Sequence, residues 1–215
     1  SAFDGLCLAF SSWRYPRSAF AKASGKPFRS IRKDKGALGE YLLFDALRRI
    51  KGEWLFNLYL PIGKEYTEID SLLICRRGIF IFESKNFSGR VYGLSSQTEW
   101  TQTRKTKRGI RKQKFFNPLM QNAAHEKALS AVIGRKSFHP IVVFGKKCEL
   151  YTPAADERPR EITTLRGLKR LVRSFTKTGP DKTETSRLRS VLLPYTQATE
   201  RQKAEHIRFV AKRNQ

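Results

Sequence analysis

Apolar residues recur along this chain with two different spacings. Between Gly36 and Ile50, the positions Glu40, Leu43, Phe44 and Leu47 fall at i, i+3, i+4 and i+7. That is one face of a 3.6-residue repeat, so a helix is predicted there, with a carboxylate at the head of its apolar face. Three strand-like runs follow: Trp54 to Leu60, closed by Pro61-Ile62-Gly63; Tyr66 to Cys75; and Gly78 to Lys85. A link as short as Arg76-Arg77 predicts an antiparallel hairpin between the last two. Their near-continuous apolar content predicts strands covered on both faces. The chain is then expected to wander from Asn86 to Trp100 and to continue as a basic loop to Lys114. Asn117-Pro118 marks a second helix, asparagine as cap and proline at its first position, running to about Ile133. Pro140 to Phe144 reads as a short buried strand. Beyond Leu150, Leu165, Leu168, Leu171, Val172 and Phe175 form a helical stripe, and Arg187–Leu193 and Glu200–Lys212 are further helices.

This order predicts an α/β fold around a mixed sheet. Three regions are expected: residues 1–35, a basic irregular N-terminal arm with prolines at Pro16 and Pro27; residues 36–150, the core; and residues 151–215, a basic helical C-terminal extension packed on that core.

Charge sharpens the division. Lysine and arginine number 43 against 19 acids, a formal net charge of +24. A field this positive attracts polyanions, nucleic acid first and anionic membrane second. From Gly36 to Trp100 the chain carries eight basic and eight acidic residues, whereas Thr101 to Lys114 carries seven basic and no acidic ones. The acids thus gather in one balanced segment with basic segments on both sides. That is the layout expected where carboxylates do chemistry and cations hold an anion around them.

Other classes are excluded more simply. Cys7, Cys75 and Cys148 lie far apart and form no CxxC, so neither a zinc ribbon nor a disulfide framework is expected, and reduced thiols fit a cytoplasmic protein. The longest apolar runs, about four residues, fall far short of the ~20 a membrane span needs. No signal peptide is visible. The first residue is Ser1, which leaves room for an anchoring segment before it. Aromatic residues are expected in the core, and none is assigned to base stacking.

The candidate chemistry lies on the two hairpin strands. Asp70 sits in Glu68-Ile69-Asp70-Ser71-Leu72-Leu73-Ile74, and Glu83-Ser84-Lys85 ends the next strand. Alternation points Glu83 and Lys85 to one face and Ser84 to the other. Pairing of the strands brings Asp70 beside Glu83, so two carboxylates share a site with one lysine. Carboxylates are hard oxygen ligands suited to Mg²⁺ or Mn²⁺. A lysine there can orient or help deprotonate a water, or stabilise developing charge. Glu40 could supply a further ligand, and Ser84 and Asn86 could support the site. Gln121 and His125 lie one helical turn apart. The three histidines show no ligand spacing, so a histidine-based site is not expected. The run Arg104, Lys105, Lys107, Arg108, Arg111, Lys112 and Lys114 reads as a loop gripping a phosphate backbone.

Taken together, Gly36-Ala37-Leu38-Gly39-Glu40, Glu68 to Ile74, Gly78 to Asn86, Gly89, Trp100 and Asn117-Pro118-Leu119-Met120-Gln121 resemble the nuclease-related domain (NERD), a branch of the PD-(D/E)xK nuclease superfamily. The resemblance spans about Gly36 to Phe144. It implies a restriction-endonuclease-like αβββαβ core and Mg²⁺- or Mn²⁺-dependent cleavage of DNA by an endonuclease or nickase. It implies an active site of Glu40, Asp70, Glu83 and Lys85, with Gln121 rather than His125 in support. The stretch from Leu188 to Arg213 resembles the tail of longer bacterial relatives, some with an N-terminal membrane helix and a C-terminal zinc ribbon. DNA is the expected partner, RNA remains open, and no small-molecule cofactor is expected. The rival readings are a non-catalytic DNA- or RNA-binding module and a membrane-surface adaptor.

Overall fold

The structure, a computed structural model, describes residues 11–213, with side chains as far as Arg208. The first ten residues of the expected arm, Cys7 among them, lie outside the described residues. Helices α1 (Ala19–Ser24) and α2 (Phe28–Lys33) precede α3 (Lys35–Leu47). Strands β1 (Gly52–Ile62), β2 (Glu65–Cys75) and β3 (Gly78–Lys85) follow. Three more strands, β4 (Gly89–Tyr92), β5 (Glu99–Thr106) and β6 (Gly109–Phe116), lead into α4 (Pro118–Ile133). The chain then forms β7 (Phe138–Phe144), β8 (Cys148–Leu150), α5 (Pro153–Glu157), β9 (Ile162–Thr164), α6 (Leu168–Ser174), α7 (Lys182–Leu192) and α8 (Glu200–Arg213).

The main sheet has the order β1-β2-β3-β7-β9, antiparallel through β3 and parallel from β3 to β9, so it is mixed as expected. Helices α3 and α6 cover one face through Leu43, Leu47, Leu168 and Val172, which pack on Leu73, Phe80 and Phe82. Helices α4 and α7 cover the other through Ala128, Leu129, Leu188 and Leu192, which pack on Leu72, Ile74, Ile79 and Ile81. Burial on both faces is why β2 and β3 read as continuous apolar runs. Local caps fix the helices that flank the site. Asp34 accepts from the Gly36 and Ala37 amides at the start of α3, and Asn117 accepts from Leu119 at the start of α4. Among the described residues no helix is long and apolar enough to cross a membrane.

Two expectations are corrected. The arm is not irregular within the described residues, because Tyr15, Phe20 and Ile31 pack with Tyr41, Phe44 and Phe56 in one buried cluster. Arg14 also clamps Asp45 through two hydrogen bonds of 3.0 and 2.6 Å. Nor does the chain wander after Asn86. It builds a second sheet of order β6-β5-β4-β8, and the basic run is the β5–β6 hairpin rather than a loop. Val91 and Trp100 anchor this sheet against Phe144 and Leu119.

Alternation along β2 slips at Asp70. Ile69 before it and Leu72 and Ile74 after it belong to one buried cluster, and Thr67 reaches α4, the helix on that same face. Opposite Asp70 in the β1 register stands Asn57, between the paired Phe56 and Leu58. Its φ of 52° makes it the one non-glycine residue with positive φ among those described. Asparagine tolerates this left-handed conformation better than other side chains do.

Candidate active site

The β2–β3 ladder ends with Ser71 opposite Phe82, and the same register places Asp70 opposite Glu83. The Ser84 amide donates to Asp70 Oδ2 at 3.3 Å, tying the two strands at that point. Glu83 is 2% exposed and held on both oxygens. Lys85 Nζ lies 2.6 Å from Oε1, and His125 Nε2 lies 3.2 Å from Oε2. The second ring nitrogen of His125 lies 2.9 Å from the Thr67 hydroxyl. With Glu83 ionised, the His125 Nε2–H donates to its carboxylate, and Nδ1 is hydrogen-bonded to the Thr67 hydroxyl. Lys85 also donates to Gln121 Oε1 at 3.2 Å. Gln121 and His125 therefore act from adjacent turns of α4, Gln121 on the lysine and His125 on the glutamate.

The family resemblance favoured Gln121 over His125; the structure brings both to the site. The available signal was their separation of four residues, which puts them on one helix face. Thr67 carried no signal, because it follows the ordinary alternation of β2. The supporting pair behaves differently from its sequence reading. Ser84 contributes its backbone amide. Asn86 donates to the Lys35 carbonyl at 2.8 Å, binding the end of β3 to the start of α3. Gly39 allows this approach, since a Cβ there would fall 2.6 Å from Asn86 Cβ.

The charges of the site do not balance. Burial acts to raise the Glu83 pKa, but Lys85 and His125 overcome it and leave the group below its usual value. Burial acts to lower Lys85, and the negative charges of Glu83 and Asp70 reverse that, leaving a firmly protonated ammonium. Lys85 is thus largely spent on Glu83. Asp70 is pushed well above the usual carboxylate range by burial, then by the charges of Glu83 and Glu40. Glu40 is pushed up to about 7 by burial, then by Glu68, Asp34 and Glu83. Such a set of carboxylates short of positive charge is what a divalent cation relieves.

Glu40 is placed differently from the other carboxylates. It lines a cavity of about 570 Å³ with Asn57, Tyr59 and Glu68, and with Lys26 and Lys203 from the two flanking regions. Among the described residues no three His, Cys, Asp or Glu side chains come close enough to enclose an ion. The expected ligand trio of Asp70, Glu83 and Glu40 is therefore not a closed cluster, because Glu40 rises from the helix layer while Glu83 faces α4. What stands together is the pair Asp70 and Glu83. Two carboxylates suit Mg²⁺, which keeps several waters and takes substrate phosphate oxygens as further ligands.

The basic run also divides. Cross-strand pairing sets Arg104 opposite Arg111 on one face of the hairpin. Lys105, Lys112 and Lys114 lie on the other, and Lys107 and Arg108 form the tip. The run therefore presents two surfaces rather than one gripping loop.

The nuclease-related domain model matches residues 35–145, the span from the start of α3 to the end of β7. An uncharacterized protein of Bacillus anthracis is 29% identical over 159 residues, which cover 68% of this chain and 69% of that one. No solved structure matches the chain.

Proposed function

The chain belongs to the nuclease-related domain family, and on that premise we propose that it is a Mg²⁺- or Mn²⁺-dependent nuclease hydrolysing DNA phosphodiester bonds, an endonuclease or nickase of weak sequence preference. The observation that supports this most is the juxtaposition of Asp70, Glu83 and Lys85 where the pairing of β2 with β3 ends. Asp70 and Glu83 would hold the ion. When bound, it neutralises charge on the scissile phosphate and lowers the pKa of a coordinated water.

The protein's own groups have separable roles. Lys85 is kept protonated by Glu83, so it serves as a donor to the phosphate or to the attacking water rather than as a base. Gln121 limits the swing of the ammonium, and His125 fixes the carboxylate that faces it. Glu40, pushed up to about 7 at the edge of the adjoining cavity, is suited to take or give a proton near neutrality. The net charge of +24 favours a polyanionic substrate.

Supercoiled plasmid incubated with the protein and Mg²⁺ or Mn²⁺ should pass to nicked or linear forms, and EDTA should prevent it. Asp70→Ala or Lys85→Ala should lower cutting by about a hundredfold or more while DNA retention on a filter persists. Cutting by Asp70→Ala at the wild-type rate, or cutting in EDTA, overturns the assignment. Retention of DNA with no cleavage under either metal turns the reading to a binding module.

A further inference from the structure

The outer face of the second sheet takes no part in the site described above. On β4, Val91 is buried while Arg90 and Tyr92 point outward. Pairing carries this face across the sheet. Arg90 stands opposite Glu149 on β8 and Thr103 on β5, Tyr92 stands opposite Thr101, and those threonines stand opposite Lys112 and Lys114 on β6. Tyr151, just past β8, lies against Tyr92 with ring centroids 5.6 Å apart and planes 28° from parallel. The two rings are 50% and 38% exposed. The Arg90 guanidinium sits 5.0 Å from the Tyr151 ring. Beside Tyr92 an open hollow of about 510 Å³ is floored by Gly93 and Thr101 and edged by Lys114.

Two exposed, stacked tyrosines stand out on a sheet whose Trp100 and Phe115 turn inward. Each keeps more than a third of its surface open to solvent, so packing alone does not account for them. A cationic group over one ring, small residues beside them and a lysine row across the sheet form a stacking platform next to a backbone track. A base has two flat faces to offer such a platform when it is not paired in a duplex. β4 begins four residues after Lys85, and the five residues from Lys85 to Arg90 span at most about 18 Å. The catalytic end of β3 and the Arg90 end of this face therefore lie within about 18 Å of each other.

We propose that the outer face of the second sheet binds single-stranded DNA, with bases stacked on Tyr92 and Tyr151 and the phosphate backbone running along Lys105 and Lys112. The proposal rests on nucleic acid being the substrate, as read above, but not on cleavage. Glu149 and Glu99, the acids on this face, are each paired, with Arg90 at 3.3 Å and Lys114 at 2.9 Å. They do not leave a net negative surface.

The test is fluorescence anisotropy in EDTA with labelled fifteen-nucleotide oligo-dT and a fifteen-base-pair duplex. Tyr92→Ala and Tyr151→Ala should each weaken oligo-dT binding about tenfold, with duplex binding changed less than about twofold. Tyr92→Phe and Tyr151→Phe keep the ring and should stay within about twofold of wild type. Ultraviolet cross-linking of bromodeoxyuridine-substituted oligomer to the wild-type chain should map to peptides holding Tyr92 or Tyr151. Unchanged oligo-dT affinity in the alanine variants, equal loss on both ligands, or cross-links confined to other peptides overturns the proposal. Oligo-dT binding through the tyrosines without plasmid cleavage leaves this face standing and removes the nuclease reading. Cleavage with unaltered binding by the alanine variants does the reverse.

Discussion

Glu83 is gripped by Lys85 on one oxygen and His125 on the other, so its orientation is set before any substrate arrives. Supporting contacts of this kind typically carry ten- to a hundredfold of a site's metal affinity or activity. His125→Leu should lose that much plasmid nicking and Mg²⁺ affinity by calorimetry. His125→Gln, which keeps a donor towards Glu83, should recover most of it. Equal loss in both would mean that His125 acts through packing alone. Glu40 offers a pH measurement. Its carboxyl is pushed from 4.5 up to about 7, first by burial and then by Glu68. The fold therefore retains a proton that the unfolded chain releases above 4.5, and this group's contribution to stability is lost as pH rises from about 4.5 through 7. In EDTA, the Tm of Glu40→Gln minus that of wild type should grow across that window and level off above it. A difference that stays flat from pH 4.5 to 7.5 would remove the assigned cause. Asp70, Glu83 and Lys85 were legible in the sequence because hard charges on apolar strands stand out. His125 was not, since its partner Glu83 is 42 residues away and only tertiary packing brings them together.

At the scale of elements, Asn57 and Asp70 form one device. Strict alternation along β2 would put Glu68, Asp70 and Leu72 on a single face. The left-handed turn of the backbone at Asn57 accompanies a slip that sends Glu68 towards Glu40 and leaves Asp70 against the Ser84 amide. Asn57→Gly should leave the unfolding free energy within about 0.5 kcal/mol and keep cleavage, since glycine accepts this conformation freely. Asn57→Val should cost about 1–2 kcal/mol and reduce cleavage beyond what the loss of folded protein explains. Denaturant titration and specific activity on the same samples separate the two effects. Valine that matches glycine on both counts would show that the slip does not depend on this residue. The slip was not legible because alternation is itself the rule used to read strands. The β5–β6 hairpin escaped for a related reason. β6 reads Gly-Ile-Arg-Lys-Gln-Lys-Phe-Phe and is exposed over its first six residues, so no buried face imprints a period of two on the sequence. Helix α4 was legible nearly to the residue and α3 at its start, its end falling at Leu47 rather than Ile50, because caps and apolar faces are local properties.

The whole molecule joins a +24 surface to an acidic site, and two accounts of that charge make different forecasts. In one, the charge is a diffuse field that raises the local concentration of any polyanion, and every exposed cation contributes alike. In the other, named lysines contact phosphates and release condensed counterions, each contact adding about 0.7 to the slope of log K against log salt on a single strand. The cross-strand register favours the second, since it puts Lys112 in the row of Arg90 and Lys105 one same-face step further along β5, on the face that carries the tyrosine pair. On oligo-dT, Lys105→Ala with Lys112→Ala should therefore make the slope shallower by about 1.4, twice the single-contact value. Arg170→Ala with Arg173→Ala removes the same charge from exposed positions on α6, in the layer that packs over α3. That pair should leave the slope unchanged and lower affinity only slightly at low salt. Anisotropy titrations between 50 and 200 mM salt measure both pairs under one condition. The same small change in both would assign the charge to steering alone. A change confined to the hairpin pair places the strand on the second sheet, at the end of the polypeptide segment that leaves Lys85.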